Sequence, residues 1–241
     1  MRKTTVILLL ISSFSFAENS LFEKANKEYI NYNYDLAISL YDSILNKGIE
    51  SSEIYYNLGN CYYKTKDWKN AIWHYEKSLS LKKDKKTIKN IELTQLNIKD
   101  KIKPLPKIFY KRWWLKIVEI FNTKTWQTLT LISFWLLLLV KILELLKKRK
   151  IKYLSDLIIV LALFLILITY NSYQLKNEKK YAIIFAKKTL VNSAPSKGSP
   201  NLFSLHSGTK IEIIDKIDNW INIKIESGNT GWIEESKCKK L

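Results

Sequence analysis

Two long apolar runs in the second half of this 241-residue chain limit what it can fold into. Thr123–Leu143 and Leu154–Gln174 are each long enough to cross about 30 Å of hydrocarbon as a helix. Lys141 and Asp156 lie near the ends of these runs, where a charged side chain reaches the headgroup region. We therefore predict two transmembrane helices, 123–143 and 154–174, joined by a short loop at 144–153.

The first seventeen residues, MRKTTVILLLISSFSFA, have the pattern of an export signal. Arg2 precedes an apolar run that starts at Val6 and, at about 11 residues, is too short to span a bilayer. Ser15 and Ala17 fit a small-x-small cleavage site. We predict a signal peptide over 1–17. The alternative is an uncleaved anchor, which would export the following residues equally well.

The loop between the two apolar runs is basic, with Lys147, Lys148, Arg149, Lys150 and Lys152. The positive-inside rule places such a loop in the cytoplasm. Further lysines follow the second run and weaken this argument, but the export signal gives the same orientation independently. We therefore predict a protein of the bacterial inner membrane whose soluble parts, including the C-terminal part, face the periplasm.

The formal charge of +18 raises the question of an anionic partner. Nearly all of the positive charge is lysine spread along the chain, and the arginines are Arg2, Arg112 and Arg149. Because arginine is the usual bidentate reader of phosphates and bases, we expect no nucleic-acid binding. Cys61 and Cys238 make neither a disulfide framework nor a metal site, and there is no phosphate loop, so we expect no metal and no cofactor.

The stretch YYNLGNCYYKTKDWKNAIWHYEKSLSLKKD has the apolar spacing of two helices joined by a turn at TKDW. Gly59 and Ala71 supply the small side chains that two antiparallel helices need at their closest approach. With aromatic residues at helical spacing around them, this stretch resembles the tetratricopeptide repeat. The resemblance implies a helical hairpin that stacks with further copies into an array.

A second copy lies 34 residues upstream, where YNYDLAISLYDSIL parallels KDWKNAIWHYEKSL and Ala37 aligns with Ala71. We predict a repeat array over 18–102, with the first repeat at Leu21–Lys47. An amphipathic segment at 87–102 is predicted as a third helix that covers the open apolar face of the last repeat, as terminal caps must.

The first helix of each repeat lines the concave face of such an array. In the second repeat this face is aromatic and amide-rich, and we predict it as a groove for a helix or an extended peptide, formed by Tyr56, Asn57, Asn60, Tyr63 and Lys64. The alternative is that some of these tyrosines pack between helices. Asn26 and Asn57 occupy positions at which some repeats grip a carboxylate, but the cations of such a clamp are missing, so a clamp is not favoured.

Two prolines in KIKPLPK end the array, and IFYKRWWLKIVEIF follows. Its tryptophans and basic residues are typical of the headgroup region, so 103–122 is predicted as a linker and an interfacial helix. A stalk packed on the repeats is the alternative.

From Tyr181 the pattern changes to short alternating strands, with turns at Asp218–Asn219 and Gly228–Asn229. The succession NSAPS, LHSGTKIEII, NWINIKI, GNTGWI resembles a bacterial SH3 domain, which implies a small barrel of five or six strands over 181–241. The pattern leaves open whether Trp220 faces a ligand or the core, and it favours the core for Trp232.

The whole is a multidomain α + β chain, in which helical repeats, two transmembrane helices and a small SH3-like β-barrel follow one another. In this order it resembles the BatE family, the tetratricopeptide-repeat and SH3-like membrane proteins of the Bacteroides aerotolerance (Bat) operon. The resemblance implies an envelope complex with other Bat proteins, several of which bear von Willebrand A domains, and with a MoxR-type ATPase. It implies a role in tolerance of oxygen or envelope stress.

We expect a non-catalytic adaptor. His74, predicted on the exposed side of its helix, and His206 have no nucleophile or carboxylate that the sequence places beside them. A rival hypothesis is a cell-wall-targeting protein, whose SH3-like domain binds peptidoglycan while its repeats recruit a hydrolase. The sequence leaves both functions open.

Overall fold

The computed structural model describes residues 20–106, 108–147, 152–177 and 180–241, so the predicted signal peptide at 1–17 lies outside the described residues. The chain divides into two compact units. The first contains the helical repeats up to Pro104 together with the C-terminal barrel from Lys180 onward. The second is the intervening segment, Leu105–Lys179.

The repeats are built from helices that form two hairpins and one further helix: α1 (20–30), α2 (Tyr34–Leu45), α3 (Ser52–Lys64), α4 (Trp68–Leu81) and α5 (Lys85–Gln95). Each of the last three begins where a short polar side chain accepts a backbone N–H of the first turn. Ser51 accepts from Ile54, Asp67 from Asn70, and Asp84 from Thr87.

Small residues allow close packing of the helices within each hairpin. Ala37 and Ala71 are fully buried. A Cβ atom added to Gly59 would come closer than 3.0 Å to the ring of Tyr75, which lies one turn beyond Ala71 in α4. The sequence pairs Gly59 with Ala71, and the structure shows that the nearest neighbour of Gly59 is the Tyr75 ring.

The helix predicted at 87–102 is shorter than expected, because α5 ends at Gln95. The chain beyond it runs onto the barrel. Ile98 is buried in one cluster with residues of α4 and with Ile183 of the barrel, and Ile102 packs against the barrel core. The prediction was wrong in this part because tertiary contacts with the barrel, rather than further helical turns, bury these apolar side chains.

The C-terminal barrel is a seven-stranded antiparallel sheet, so the expected five or six strands were too few. Its strands are β1 (Lys180–Ile184), β2 (Lys188–Asn192), β3 (Asn201–His206), β4 (Lys210–Ile217), β5 (Trp220–Lys224), β6 (Thr230–Glu234) and β7 (Cys238–Lys240). They follow the order β3-β2-β6-β5-β4-β1-β7. The additional pairing is that of β1 with β7, in which Ala182 lies opposite Lys240.

Alternation along the strands builds the barrel core. Ile221, Ile223 and Ile233 point inward and are fully buried. The predicted turns are present, with Asp218 (φ 49°) and Gly228 (φ 89°) in the left-handed region that tight strand connections use. The predicted class, helical repeats with two apolar helices and a small SH3-like barrel, is confirmed.

The described residues of the second unit form three helices: α6 (Phe109–Val118), α7 (Thr123–Lys147) and α8 (Lys152–Asn177). Two spans within it, Thr123–Leu146 and Tyr153–Leu175, are long and apolar enough to cross a membrane. Both helices extend into the loop predicted at 144–153, because apolar residues continue the helical pattern on each side. Most of their apolar side chains are exposed, as contact with lipid requires.

Hydroxyl groups join α7 to α8. Thr130 and Thr169 lie 3.0 Å apart through their Oγ1 atoms, and the hydroxyls of Thr123 and Ser172 are 2.8 Å apart. Such small polar contacts are typical of helix pairs in membranes. Helix α6 belongs to the same unit and packs on α8. The two apolar helices indicate membrane association.

Candidate docking groove

Two equivalent hydrogen-bonded groups form the floor of the concave face of the repeats. In the first group the Tyr41 hydroxyl donates to Asn26 Oδ1. The Asn57 amide donates to Asn26 Oδ1 at 3.0 Å and to the Tyr41 oxygen at 3.1 Å. Each of these three side chains comes from a different helix, α1, α2 or α3, so the group ties successive helices together.

The second group repeats this arrangement one repeat further along. The Tyr75 hydroxyl donates to Asn60 Oδ1 at 2.8 Å, and the Asn90 amide donates to the same oxygen at 3.0 Å. Asn60 and Tyr75 are the repeat equivalents of Asn26 and Tyr41. Burial raises the pKa of the Tyr41 and Tyr75 hydroxyls, so both remain protonated donors.

Above this floor lie two adjoining cavities. One, of about 280 Å³, is lined by Tyr29, Tyr56, Asn60, Tyr63, Lys64, Tyr75, Asn90 and Leu93. The other, of about 310 Å³, is lined by Asn26, Tyr29, Ile30, Tyr41, Asn57 and Asn60. Because Tyr29 and Asn60 line both cavities, the two form a single depression, which we call the groove.

All five residues predicted for the groove lie in it, and their role in binding stays a prediction. Asn57 differs from the other four, because both N–H groups of its amide are engaged within the protein. Sequence reasoning missed Tyr75, Asn90 and Leu93. Asn90 of α5 donates to Asn60 and Tyr75 as Asn57 of α3 donates to Asn26 and Tyr41, but the 34-residue register aligns Asn57 with Ile91, so the repeat pattern gave no signal for Asn90.

The repeats and the barrel are joined through α4. Trp73 donates its indole N–H to the carbonyl oxygen of Lys240 at 2.8 Å. Lys239 Nζ lies 3.6 Å from the centroid of the Trp73 ring, a cation–π contact. Lys210 of β4 and Glu76 of α4 form an ion pair of 2.6 Å, which is largely shielded from solvent.

A second join is centred on Asp100, in the segment between α5 and Pro104. Its carboxylate accepts hydrogen bonds from the His206 backbone N–H (2.6 Å), the Thr209 hydroxyl (2.6 Å) and His206 Nδ1 (2.7 Å). Burial alone would raise the pKa of Asp100, but these hydrogen bonds lower it below its usual value. His206 thus has a carboxylate partner, Asp100, which the sequence does not place beside it because the two residues are 106 positions apart.

The turn that follows His206 needs a glycine. Gly208 has φ 92°, and a Cβ atom there would come within 2.6 Å of the Ile98 side chain. This close approach lets the barrel pack on the chain that leaves α5. The repeats and the barrel thus belong to one compact unit.

His74 is buried, which corrects its predicted exposed position. Its ring stacks on Tyr62 at 4.8 Å and meets Trp73 edge-on at 4.8 Å. Nδ1 lies 2.8 Å from the Asn70 carbonyl oxygen, so Nδ1 carries the proton and donates it. Burial lowers the pKa of His74 to about 4. The prediction failed because the aromatic rings around α4 enclose this side chain.

Trp220 and Trp232 lie on the outer face of the sheet. Their strand neighbours Ile221 and Ile233 fill the core, and alternation turns both tryptophans the other way. Trp220 is therefore a half-buried residue of the outer face. The assignment of Trp232 to the core was wrong, because this half-buried residue is not part of the core cluster. Asn222, which lies opposite Trp232, has a buried Oδ1 atom that no described residue hydrogen-bonds.

The two cysteines are free thiols. Burial raises the pKa of Cys61 to about 12 and that of Cys238 to about 11, so neither is a thiolate at neutral pH. Within the described ranges, no three His, Cys, Asp or Glu side chains gather closely enough to hold a metal ion.

Two segments match known family models. Residues 52–85, which include α3 and α4, match the tetratricopeptide repeat, and residues 191–237, from β2 to the start of β7, match the bacterial SH3 domain. No curated protein matches the chain. Similarity to these two modules indicates protein–protein interaction or cell-wall binding.

Proposed function

We propose that this protein is a non-catalytic scaffold of the bacterial envelope, anchored in the inner membrane, which docks partner proteins through the groove of its repeats. The groove carries this proposal. It places the half-exposed rings of Tyr56 and Tyr63 beside hydroxyl and amide groups, with Lys64 and Leu93 at its margin. This mixture suits a partner helix or an extended peptide, in which apolar side chains alternate with polar groups.

The floor of the groove supports binding by being rigid. Tyr75, Asn60 and Asn90 hold each other by hydrogen bonds, and Asn90 also donates to the Tyr56 oxygen at 3.3 Å. Tyr63 meets Trp68 edge-on at 5.4 Å. Side chains held in this way lose little conformational entropy when a partner binds, so more of the contact energy is available for affinity.

The setting that we propose is a Bat-type aerotolerance or envelope-stress complex, with von Willebrand A-domain proteins as partners and the soluble unit in the periplasm. The order of the modules along the chain supports the complex. The export signal and the basic stretch between the apolar runs support the orientation.

A crosslinked membrane pull-down tests the groove. Tyr56→Ala with Tyr63→Ala should abolish recovery of envelope partners, because aromatic side chains at the centre of an interface often contribute about 2 kcal/mol or more. Leu36→Ala with Leu81→Ala is the matched control, since both leucines are exposed and lie outside the groove. Unchanged recovery by a tyrosine variant that melts like the wild type would reject the proposal.

Cysteine labelling in intact cells tests the orientation, in a Cys238→Ser background that leaves only the buried native thiol of Cys61. Cysteines placed at the exposed positions Lys85 and Asn201 should react with an impermeant reagent. A cysteine at Arg149, between the two apolar runs, should not. Labelling at Arg149 alone would reverse the proposed topology.

A second candidate function, binding of peptidoglycan by the barrel, rests on the outer face of the sheet. There Asn222, whose Oδ1 atom has no hydrogen-bond partner among the described residues, lies on β5 two residues from Trp220 and opposite Trp232 of β6. If this face binds cell wall, Trp220→Ala should release the detergent-solubilised protein from purified peptidoglycan, and the tyrosine double variant should still bind it. Equal retention of wild type and Trp220→Ala would exclude this function.

A further inference from the structure

A cleft separate from the groove opens where the repeats meet the barrel. It is lined by the turn between α3 and α4 (Thr65, Lys66, Asp67), by the first residues of α4 (Trp68, Lys69) and by barrel residues Phe185, Lys187 and Ser207. Its volume is about 470 Å³, larger than either cavity of the groove. Both modules contribute walls, so the cleft exists only in the assembled unit. We call it the lysine cleft.

The lysine cleft has a strong excess of positive charge. Lys66, Lys69 and Lys187 have no ion-pair partner among the residues that the structure describes. The single carboxylate in the lining, that of Asp67, accepts from the Asn70 backbone N–H at 3.3 Å and from its amide at 2.7 Å, so it is already engaged in capping α4. The protein therefore supplies the cations of the cleft and leaves their counter-charge to a ligand.

Two aromatic rings stand between these lysines. Trp68 and Phe185 both pack against the buried cluster that joins the repeats to the barrel, which includes Ile72 and Ile183. Lys69 Nζ lies 5.7 Å from the Phe185 ring centroid. The rings are half-buried and therefore fixed, and they line the cleft together with the three lysines.

We propose that the lysine cleft is a second docking site, which binds an acidic peptide segment of a partner protein. Carboxylates of the segment pair with Lys66, Lys69 and Lys187, and an apolar side chain between them lies on Trp68 and Phe185. Charge complementarity selects this partner. The cations lie on separate elements: Lys66 in the α3–α4 turn, Lys69 at the start of α4 and Lys187 in the β1–β2 connection. With no arginine fork among them, this arrangement fits spaced carboxylates better than one compact phosphate.

Fluorescence anisotropy on the full-length protein in phosphatidylcholine nanodiscs tests this site. The probe is the fluorescein-labelled peptide EEFEEFEE, with QQFQQFQQ as its uncharged counterpart. The wild type should bind the acidic peptide at least about tenfold more tightly than the glutamine peptide, and added NaCl should weaken the binding. Equal affinity for the two peptides would overturn the proposal.

Substitutions locate the binding. Lys66→Gln, Lys69→Gln and Lys187→Gln together should weaken binding of the acidic peptide by about tenfold or more. Lys85→Gln, Lys89→Gln and Lys99→Gln remove the same charge from exposed positions outside the cleft and should leave the affinity within about twofold.

Two outcomes would contradict the site. Equal losses in the two triple variants would mean that net charge alone attracts the peptide. If phosphatidylglycerol vesicles bind through the three cleft lysines and the acidic peptide does not, the cleft is a lipid contact and the proposal is wrong.

Because Lys187 is exposed, Lys187→Glu is a variant that is expected to fold, and it should weaken binding of the acidic peptide more than Lys187→Gln does.

Discussion

Trp73 of the second repeat donates a hydrogen bond of 2.8 Å to the backbone carbonyl of Lys240, 167 positions further along the chain. This bond, with Lys239 above the same indole ring, fastens the barrel to the outer helix of the repeats. The repeats and the barrel, which are far apart in sequence, are therefore coupled, and a substitution in one module should change the stability of the other.

Trp73→Phe should lower the stability of the whole soluble unit. Phenylalanine keeps an aromatic ring under Lys239 but removes the N–H that Lys240 accepts. We expect a loss of about 1 kcal/mol, seen as a melting temperature lower by roughly 2–4 °C in detergent. Trp220→Phe, on the outer sheet face, is the control and should melt like the wild type. A Trp73→Phe variant with unchanged melting would show that the indole bond contributes little.

Gly59→Ala should destabilise the second repeat, because the new methyl group would collide with the Tyr75 ring. That ring is fully buried and hydrogen-bonded to Asn60, so it has little room to move. We expect a cost of about 1–3 kcal/mol in thermal or chemical unfolding. Gly198→Ala is the matched control, since a Cβ atom there meets only Ser196 Oγ at 3.9 Å.

Buried His74 should make the protein less stable in mild acid. In the unfolded chain the His74 imidazole has a pKa of about 6.5, whereas burial in the folded protein lowers the pKa of His74 to about 4. The neutral form therefore contributes its full stability above pH 6.5 and loses it as the pH falls towards 4. Between pH 7 and pH 5 the loss should be about 2 kcal/mol. In chemical denaturation, His74→Phe should reduce the difference between the free energies of unfolding at pH 7 and pH 5. A wild type that is equally stable at both pH values would refute this prediction.

The segment 105–179 should be replaceable without loss of the soluble fold. Pro104 and Lys180 belong to the same compact unit, and a flexible linker of about 12 residues has a root-mean-square span of roughly 20 Å. We expect the joined protein to be soluble and to unfold in a single transition. Separate transitions for the repeats and the barrel, followed by circular dichroism and tryptophan fluorescence, would show that the two modules fold independently.

Local periodicity made most of the elements predictable. Helical spacing around Gly59 and Ala71 indicated the repeat hairpin, and alternation through Ile221 and Ile223 indicated a strand, because each pattern is set by neighbours in sequence. The contact between the repeats and the barrel could not be predicted, because Asp100 and His206 are 106 positions apart and no local sequence pattern encodes their contact. The early end of α5 and the burial of His74 follow from that same contact or from packing around it.

The candidate groove was predictable for a related reason. Tyr56, Asn60 and Tyr63 fall on one face of α3 by helical spacing alone, and Asn60 and Tyr63 recur 34 residues from Asn26 and Tyr29. The lysine cleft was not predictable, because Lys66 and Lys187 meet only after the barrel has packed on the repeats. For Trp232, the sequence pattern favoured the core, and only the burial of its strand neighbour Ile233 shows that it faces outward.

The late position of β7 sets an order of events during biosynthesis. Translation delivers the repeats first, then the two apolar helices, and only afterwards the strand that receives Trp73. The face of α4 that carries Trp73 therefore stays uncovered until β7 has been made. Loss of residues 238–241 would keep the described helices of the repeats and leave this face open to solvent, so the surface that holds the two modules together is the last part of the soluble unit to form.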